Sequence, residues 1–278
     1  MNKLLGVNLG GYTLIKFLGS GSFGTVYEGV LHNKHYALKI PIVTKERDGR
    51  DSILQEYKIY KKLPGIQVKL VRANDVDIMV MDLMGPSLGD FIEKYKRFDI
   101  KTTILLTIQL VKGLKEIHSK GYLHRDIKPK NIVIDPKSPS HVFLIDFGLA
   151  CKYKKDFVDI HKFCGTERYA SINAHNMKEQ SRRDDLEAMM YTIVFLYKGR
   201  LPWQGIKNSD KIERNKLICQ AKTNAIDLCK GMPKEFTILL KYIKSMEFNE
   251  KPMYSTIVRM MESLYNSSRF KDKLVQWA

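Results

Sequence analysis

The stretch LGSGSFGTV, residues 18–26, sets Gly19, Gly21 and Gly24 in GxGxxG spacing between two β-rich runs. Glycines in such a loop let the backbone approach phosphate oxygens and take positive φ, and Val26 can cover an aromatic base. Leu18, Ser20, Ser22, Phe23 and Thr25 complete the loop and are candidates for the same nucleotide contact. A plain glycine-rich hairpin fits the same letters. A dinucleotide fold would need a helix directly after the glycines, and TVYEGVL is strand-like. One hairpin further on, YALKI embeds Lys39 in an apolar strand. A buried ammonium needs a partner, and Glu56 on the following helical stretch is the natural one. Such a pair would hold the ammonium against the α- and β-phosphates of ATP. A solvated Glu56 is the plain alternative.

HRDIKPKN (124–131) and LIDFGLA (144–150) narrow the chemistry. An aspartate, a lysine two positions later and an asparagine three beyond match the catalytic loop of protein kinases. Six matching positions at about one in twenty each make coincidence negligible. The chain thus resembles a eukaryotic protein kinase. The resemblance implies that Asp126 orients or accepts the proton of an attacking hydroxyl, Lys128 steadies the γ-phosphoryl charge, and Asn131 helps hold a second Mg²⁺. Asp146 would bind the Mg²⁺ that bridges the β- and γ-phosphates, with Phe147 packed on the helix that carries Glu56. By the same resemblance Met81 and Leu83 line the nucleotide, and His124 reads as structural rather than as a general base. Lys39, Asp126, Asn131 and Asp146 are all present, which argues against an inactive relative.

Where this superfamily usually carries A-P-E, the chain has Ser171-Ile172-Asn173. With GTERYASINAH, EQSRRDDLEA, LPWQGIK and LMGPSL, that replacement makes it similar to the casein kinase 1 family from about Tyr12 to about Leu264. The resemblance implies a serine/threonine kinase that favours acidic substrates, above all those already phosphorylated three residues before the target. Its anion pocket maps onto Arg168, with Lys211 and Arg214 as companions and Lys162 as a further contributor. A phosphoserine carries roughly −1.5 to −2 charges and can accept one to three charge-assisted hydrogen bonds from an arginine cluster. In the kinase template Asp185 caps a buried helix and accepts N–H bonds from the loop 124–131, with Glu187 as a second capping acid. Arg182 and Arg183 are expected to brace that turn through carboxylates or carbonyls. Three departures stand out: a short segment from Asp146 to Gly165, Cys164 in place of threonine, and Lys130, which would repel basic peptides.

The elements that must position these residues fall into two kinds. Up to about residue 81, short β-rich runs (YTLIKFLG, GTVYEGVL, KHYALKI, VKLVRAND, VDIMVMDL) alternate with turn signals, and RDSILQEYKIYKKL (50–63) is the one helical pattern. Beyond MGPS the chain turns helical. KTTILLTIQLVKGLKEIHS puts Ile104, Ile108, Val111, Leu114 and Ile117 on one stripe, AMMYTIVFLY reads as a buried helix, and further helices are expected at 209–222, 234–245 and 254–266. The expected fold is therefore α+β and bilobal: a β-rich lobe over 1–81, a connection at 82–86 and a helical lobe over 87–278.

The 278 residues, 44% apolar, can bury a large core, and 47 Lys+Arg against 30 Asp+Glu give a formal charge of +17. That excess suits anionic partners, nucleic acid included, so a basic scaffold binding nucleic acid, microtubules or membrane is the alternative reading. No zinc or disulfide spacing joins the four cysteines, no apolar run approaches the roughly 20 residues of a membrane span, and no leader is evident. A monomer in the cytoplasm or nucleus is expected.

Overall fold

Runs that alternate inward and outward side chains become strands, and in the first third of the chain they do so in sequence order. A computed structural model describes residues 4–21, 23–43, 48–155, 163–268, 270 and 272–278; Ser22 and Lys162, named above, lie outside the described residues. The strands are β1 (Asn8–Leu9), β2 (Tyr12–Ser20), β3 (Gly24–Leu31), β4 (Lys34–Pro41), β5 (Val68–Ala73) and β6 (Val76–Asp82), with helix α1 (Arg50–Tyr60) between β4 and β5. They form one antiparallel sheet in the order β1-β2-β3-β4-β6-β5. The β3–β4 hairpin closes on His32 and Asn33, both at positive φ, and β5–β6 closes the same way on Asn74 and Asp75. Positive φ at both central residues matches the right-handed twist of the flanking strands. VKLVRAND therefore ends as a turn and not as a strand. Tyr12, Leu14, Tyr27, Leu38, Ile78 and Val80 fill the core under the sheet.

Helix α1 stops at Tyr60 instead of running to Leu63. Pro64 follows, and the residue before a proline avoids helical backbone. Its buried face consists of Ile53, Glu56, Ile59 and Tyr60, with Tyr57 only half-buried. A carboxylate thus sits on the apolar stripe.

The second part of the chain is built on helices: α2 (Leu88–Tyr95), α3 (Ile100–Ser119), α4 (Ile172–His175), α5 (Arg182–Lys198), α6 (Lys211–Thr223), α7 (Lys234–Ser245) and α8 (Tyr254–Ser267). Short strands β7 (Tyr122–Leu123) and β10 (Cys151–Lys152) pair with each other, as do β8 (Ile132–Asp135) and β9 (Ser138–Leu144). The α3 stripe of Ile104, Ile108, Val111, Leu114 and Ile117 is buried, and α3 packs on α5 and α8. Along α5 every residue from Asp184 to Leu196 is buried, so this helix is central. The sequence reading did not anticipate α2, although Ser87 and Asp90 form a capping box at its start: Asp90 N–H donates to Ser87 Oγ at 3.2 Å and Ser87 N–H to Asp90 Oδ2 at 2.8 Å.

The chain divides into two compact units, Met1–Met84 with Asp146–Gly148, and Gly85–Ile145 with Leu149–Ala278. Three residues from the middle of the sequence thus belong with the N-terminal sheet, for reasons that lie in α1.

Candidate active site

In the first unit, β3–β4 pairing sets Lys39 opposite Val26, and β4–β6 pairing sets it opposite Met79. Its Nζ donates to Glu56 Oε2 at 2.6 Å and to Asp146 Oδ1 at 2.8 Å, and the Lys39 side chain is 8% exposed. Burial alone would discharge the amine, but the two carboxylates outweigh it and hold its pKa above the ordinary lysine value. Helix α1 also fixes the segment 146–148. Glu56 Oε1 accepts the Phe147 N–H at 3.0 Å, Tyr60 OH accepts the Asp146 N–H at 3.0 Å, and the Tyr60 ring meets Phe147 edge-on at 4.9 Å. Asp146 itself takes φ +67°, a left-handed conformation that a non-glycine residue holds only when its neighbours impose it.

The glycine-rich turn lies in the same unit. Gly21 N–H donates to Gly24 O at 2.9 Å, and Gly19 pairs with Val26 across β2 and β3. A Cβ on Gly24 would meet Ile40 O at 3.0 Å and Lys39 Cγ at 3.2 Å, so a side chain there would press on the lysine strand. Leu18 and Ser20 are exposed on β2, while Phe23, Thr25, Val26, Met81 and Leu83 are half-buried.

In the second unit the loop 124–131 gathers around Asp126. Lys128 Nζ donates to Asp126 Oδ2 at 2.6 Å, Thr166 Oγ1 donates to Asp126 Oδ1 at 2.7 Å, and Asn131 Nδ2 donates to Asp126 O at 2.9 Å. A carboxylate at the end of such a set is oriented to accept a proton from a hydroxyl brought to it. His124 is fully buried and bonds through its ring to Ile145 O and the Asp126 N–H, so its role is structural. Asp185 anchors the loop from beneath: its carboxylate accepts the N–H groups of His124 and Arg125, both at 2.8 Å, and faces His118 Nε2 at 2.8 Å. Burial would raise its pKa, yet the bonds from His118 and the loop hold it below the ordinary carboxylate value.

The expected helix cap needs correction. Asp184, not Asp185, closes the first turn of α5 by accepting the Ser181 N–H at 2.7 Å. Asp184 also accepts from Ser171 Oγ at 2.6 Å and Asn173 Nδ2 at 3.1 Å, and Glu187 Oε1 accepts the Ile172 N–H at 3.0 Å. Two buried acids of α5 therefore bind the Ser-Ile-Asn segment, and Glu187 is no cap of its own helix. Arg182 and Arg183 donate to Asn249 O and Met246 O, at 2.7 and 2.6 Å, and brace the turn through carbonyls.

Helix α6 holds the same segment from its other side. Lys222 is completely buried, and its Nζ donates to Ala170 O at 2.5 Å and Glu167 O at 2.8 Å and lies 2.9 Å from His175 Nε2. Asn215 donates its amide to His175 O and turns its oxygen to His175 Nδ1 at 2.5 Å. Nδ1 therefore carries the imidazole proton and Nε2 accepts from Lys222. Burial, then the charge of Lys222, push the His175 pKa down to about 4, and burial lowers Lys222 to about 7.

Between these anchors the second unit opens a groove of about 960 Å³, whose charged lining includes Lys128, Lys130, Arg168, Arg214, Glu93 and Glu167. Of the four residues expected at an anion pocket, Arg168 and Arg214 line it together, and Lys162 lies outside the described residues. Lys211 is not among its lining residues and lies exposed at the start of α6. Arg168 is exposed, with its carbonyl fixed by Trp203 Nε1 at 2.7 Å.

Sequence reasoning missed Thr166, Glu167, Asp184 and Lys222. For Lys222 a signal existed: Asn215, Ile218 and Lys222 share the i, i+3, i+7 spacing of one buried helical face. For Thr166 and Glu167 there was none, since their partners lie dozens of residues away.

Mg²⁺ takes one or two protein oxygens together with substrate phosphates, rather than a full protein cage. The Asp146 carboxylate in the first unit and the Asn131 amide oxygen in the second are each a hard donor of that class, and Asn131 spends its N–H groups on Asp126. The metal would screen phosphate charge when bound. No helix among the described residues is long and apolar enough to cross a membrane. A family model described as "Protein kinase domain" matches residues 12–265.

Proposed function

Because the chain belongs to the protein kinase family, we propose that it is an ATP- and Mg²⁺-dependent serine/threonine kinase of the casein kinase 1 type, acting on acidic or phosphate-primed protein substrates. The observation that carries this reading is the groove beside Asp126, in which four cations, Lys128, Lys130, Arg168 and Arg214, face two acids. An extended acidic peptide entering there would bring its hydroxyl toward the Asp126 carboxylate, with the flanking negative charges met by the arginines.

In the proposed chemistry Lys39 steadies the ATP phosphates, and its bonds to Glu56 and Asp146 keep the ammonium charged. Asp146 in the first unit and Asn131 in the second are the residues that would hold Mg²⁺, which would screen the phosphate charge. Asp126 orients the substrate hydroxyl and takes its proton as the oxygen bonds to the γ-phosphorus, while the bond from that phosphorus to the β–γ bridging oxygen breaks and ADP leaves. Lys128, already on Asp126 Oδ2, meets the charge that builds on the transferred group. Thr166 keeps the carboxylate in plane through Oδ1.

The test is a panel of matched peptides with serine, threonine or tyrosine as target, each flanked by acidic or by basic residues. Transfer to serine and threonine in the acidic peptides is expected, with basic peptides poor. Tyrosine transfer, or a preference for basic flanks, would overturn the assignment.

A further inference from the structure

Glu167 lines the groove together with Arg168 and Arg214, the two arginines assigned above to acidic or phosphorylated substrates. Its carboxylate grips Arg214 with a fork of two bonds, from Nε at 3.1 Å and from Nη2 at 2.7 Å. This is the geometry in which guanidinium groups hold carboxylates and phosphates alike. Both side chains are about one-third exposed, 31% for Arg214 and 33% for Glu167, so the pair is open to exchange with a visiting anion. Among the described residues Arg168, the next in the chain, forms no ion pair with a carboxylate.

Glu167 does not reach Arg214 by chance of a loose loop. Its carbonyl accepts from Lys222 Nζ at 2.8 Å, and Lys222 and Arg214 both project from α6. One helix therefore holds the main chain and the side chain of the same residue. The consequence is electrostatic. Two arginines alone would offer two positive charges, but with Glu167 the trio carries a net charge of one. An incoming phosphate, at roughly −1.5 to −2 charges, must draw Arg214 away from its carboxylate and then lie beside an unpaired glutamate. A carboxylate in the same place, with a single charge, can be met by Arg168 alone and is repelled less by Glu167, so both costs are smaller.

Resting on the reading of this groove as the acidic-substrate site, we propose that Glu167 is a built-in occupant of the anion subsite. It takes the place of a substrate phosphate at Arg214 and sets the protein to act on acidic, unphosphorylated sequences in preference to phosphorylated ones.

The experiment compares kcat/KM for a peptide with phosphoserine three residues before the target and for a matched peptide with aspartate there. Glu167→Gln removes the charge and keeps the main-chain bond to Lys222. The phosphopeptide-to-aspartate ratio should rise about one-and-a-half- to fivefold, the range for an exposed ion pair. The gain should vanish in the Glu167→Gln/Arg214→Ala double variant. Inorganic phosphate, as competitor of the phosphopeptide, should inhibit Glu167→Gln more strongly by a similar factor. An unchanged ratio in Glu167→Gln, with a fall in Arg214→Ala, overturns the proposal and leaves the subsite reading intact. If Arg168→Ala and Arg214→Ala alter the use of neither peptide in the Glu167→Gln background, the subsite reading fails and the proposal with it. Should the glutamine variant melt early, Glu167→Ala is read in the same assay by the same criteria.

Discussion

Asp184 Oδ1 accepts the Ser171 hydroxyl at 2.6 Å, joining the start of α5 to the segment that follows the groove-lining residues 165–169. The same carboxylate holds Asn173 and the Ser181 N–H, so one buried acid closes a helix and pins a loop. Asp184→Asn keeps the shape but loses the charge on every one of these bonds. The protein should lose about 2–3 kcal/mol of stability, the scale of a hydrogen bond to a charged group. Urea unfolding followed by tryptophan fluorescence measures it, since Trp203 is buried and bonded to the same segment.

His175 makes that segment acid-sensitive. Its folded pKa, about 4, lies below the ordinary 6.5, so below pH 6.5 the unfolded chain binds a proton that the folded chain refuses. Stability is thus fully present above pH 6.5 and is lost as pH falls toward 4, by about 3 kcal/mol for a shift of this size. The physical cause is that Nε2, once protonated, would face the Lys222 amine. Denaturation midpoints for the wild type and His175→Gln should converge between pH 6.5 and 4. Parallel curves would remove His175 as the source.

Lys39→Met should leave Glu56 and Asp146 buried or half-buried without their shared cation. Breaking such a pair by removing one partner costs about 3–5 kcal/mol. A lowered melting temperature should therefore accompany the loss of ATP binding, and calorimetric titration with ATP at a temperature where the variant is folded separates the two effects.

Asp126→Asn should preserve the fold, because its backbone bonds remain, while kcat falls by about 10²–10⁴, the usual contribution of a positioned acid or base. Substrate affinity, read from peptide binding in the absence of turnover, should change far less. An equal loss of both would mean that Asp126 shapes the loop more than it acts on the hydroxyl.

Among the described residues, Lys222, Asp184, Glu187 and Trp203 all bond to the stretch 166–175, so the chain's own side chains supply its anchors. The enzyme should accordingly be active without prior modification. Bacterially expressed protein, treated with phosphatase and then freed of it, should phosphorylate an acidic peptide from the first minutes of the assay. A lag abolished by a second kinase would contradict this.

How much of this was legible beforehand follows from the range of each interaction. Lys39 and Glu56 could be paired from the letters because a charge in an apolar strand needs a partner and only one helix follows the strand before the sheet resumes. The stripe on α3 and the unbroken apolar run of α5 were legible for the same local reason. Asp184 and Asp185 were not separable: adjacent on a helix they point apart, and only the fold decides that one meets Ser171 and the other His124. Lys211 and Arg214 looked equivalent as neighbouring cations, yet one turn of helix leaves Lys211 outside the groove lining. Glu167 was read as part of a motif, and its chemistry depended on a residue 47 positions away.

Lys222 has one more consequence, for protein chemistry at the bench. Burial lowers the pKa of its amine to about 7, well below the ordinary lysine value, which favours reaction with acylating reagents. It is nevertheless sealed beneath Glu167 and Ala170. The many surface lysines will be modified first, and Lys222 only when the chain above it lifts from α6. The rate at which that single amine acquires a label, followed by peptide mass, is a clock for how often the floor of the groove opens.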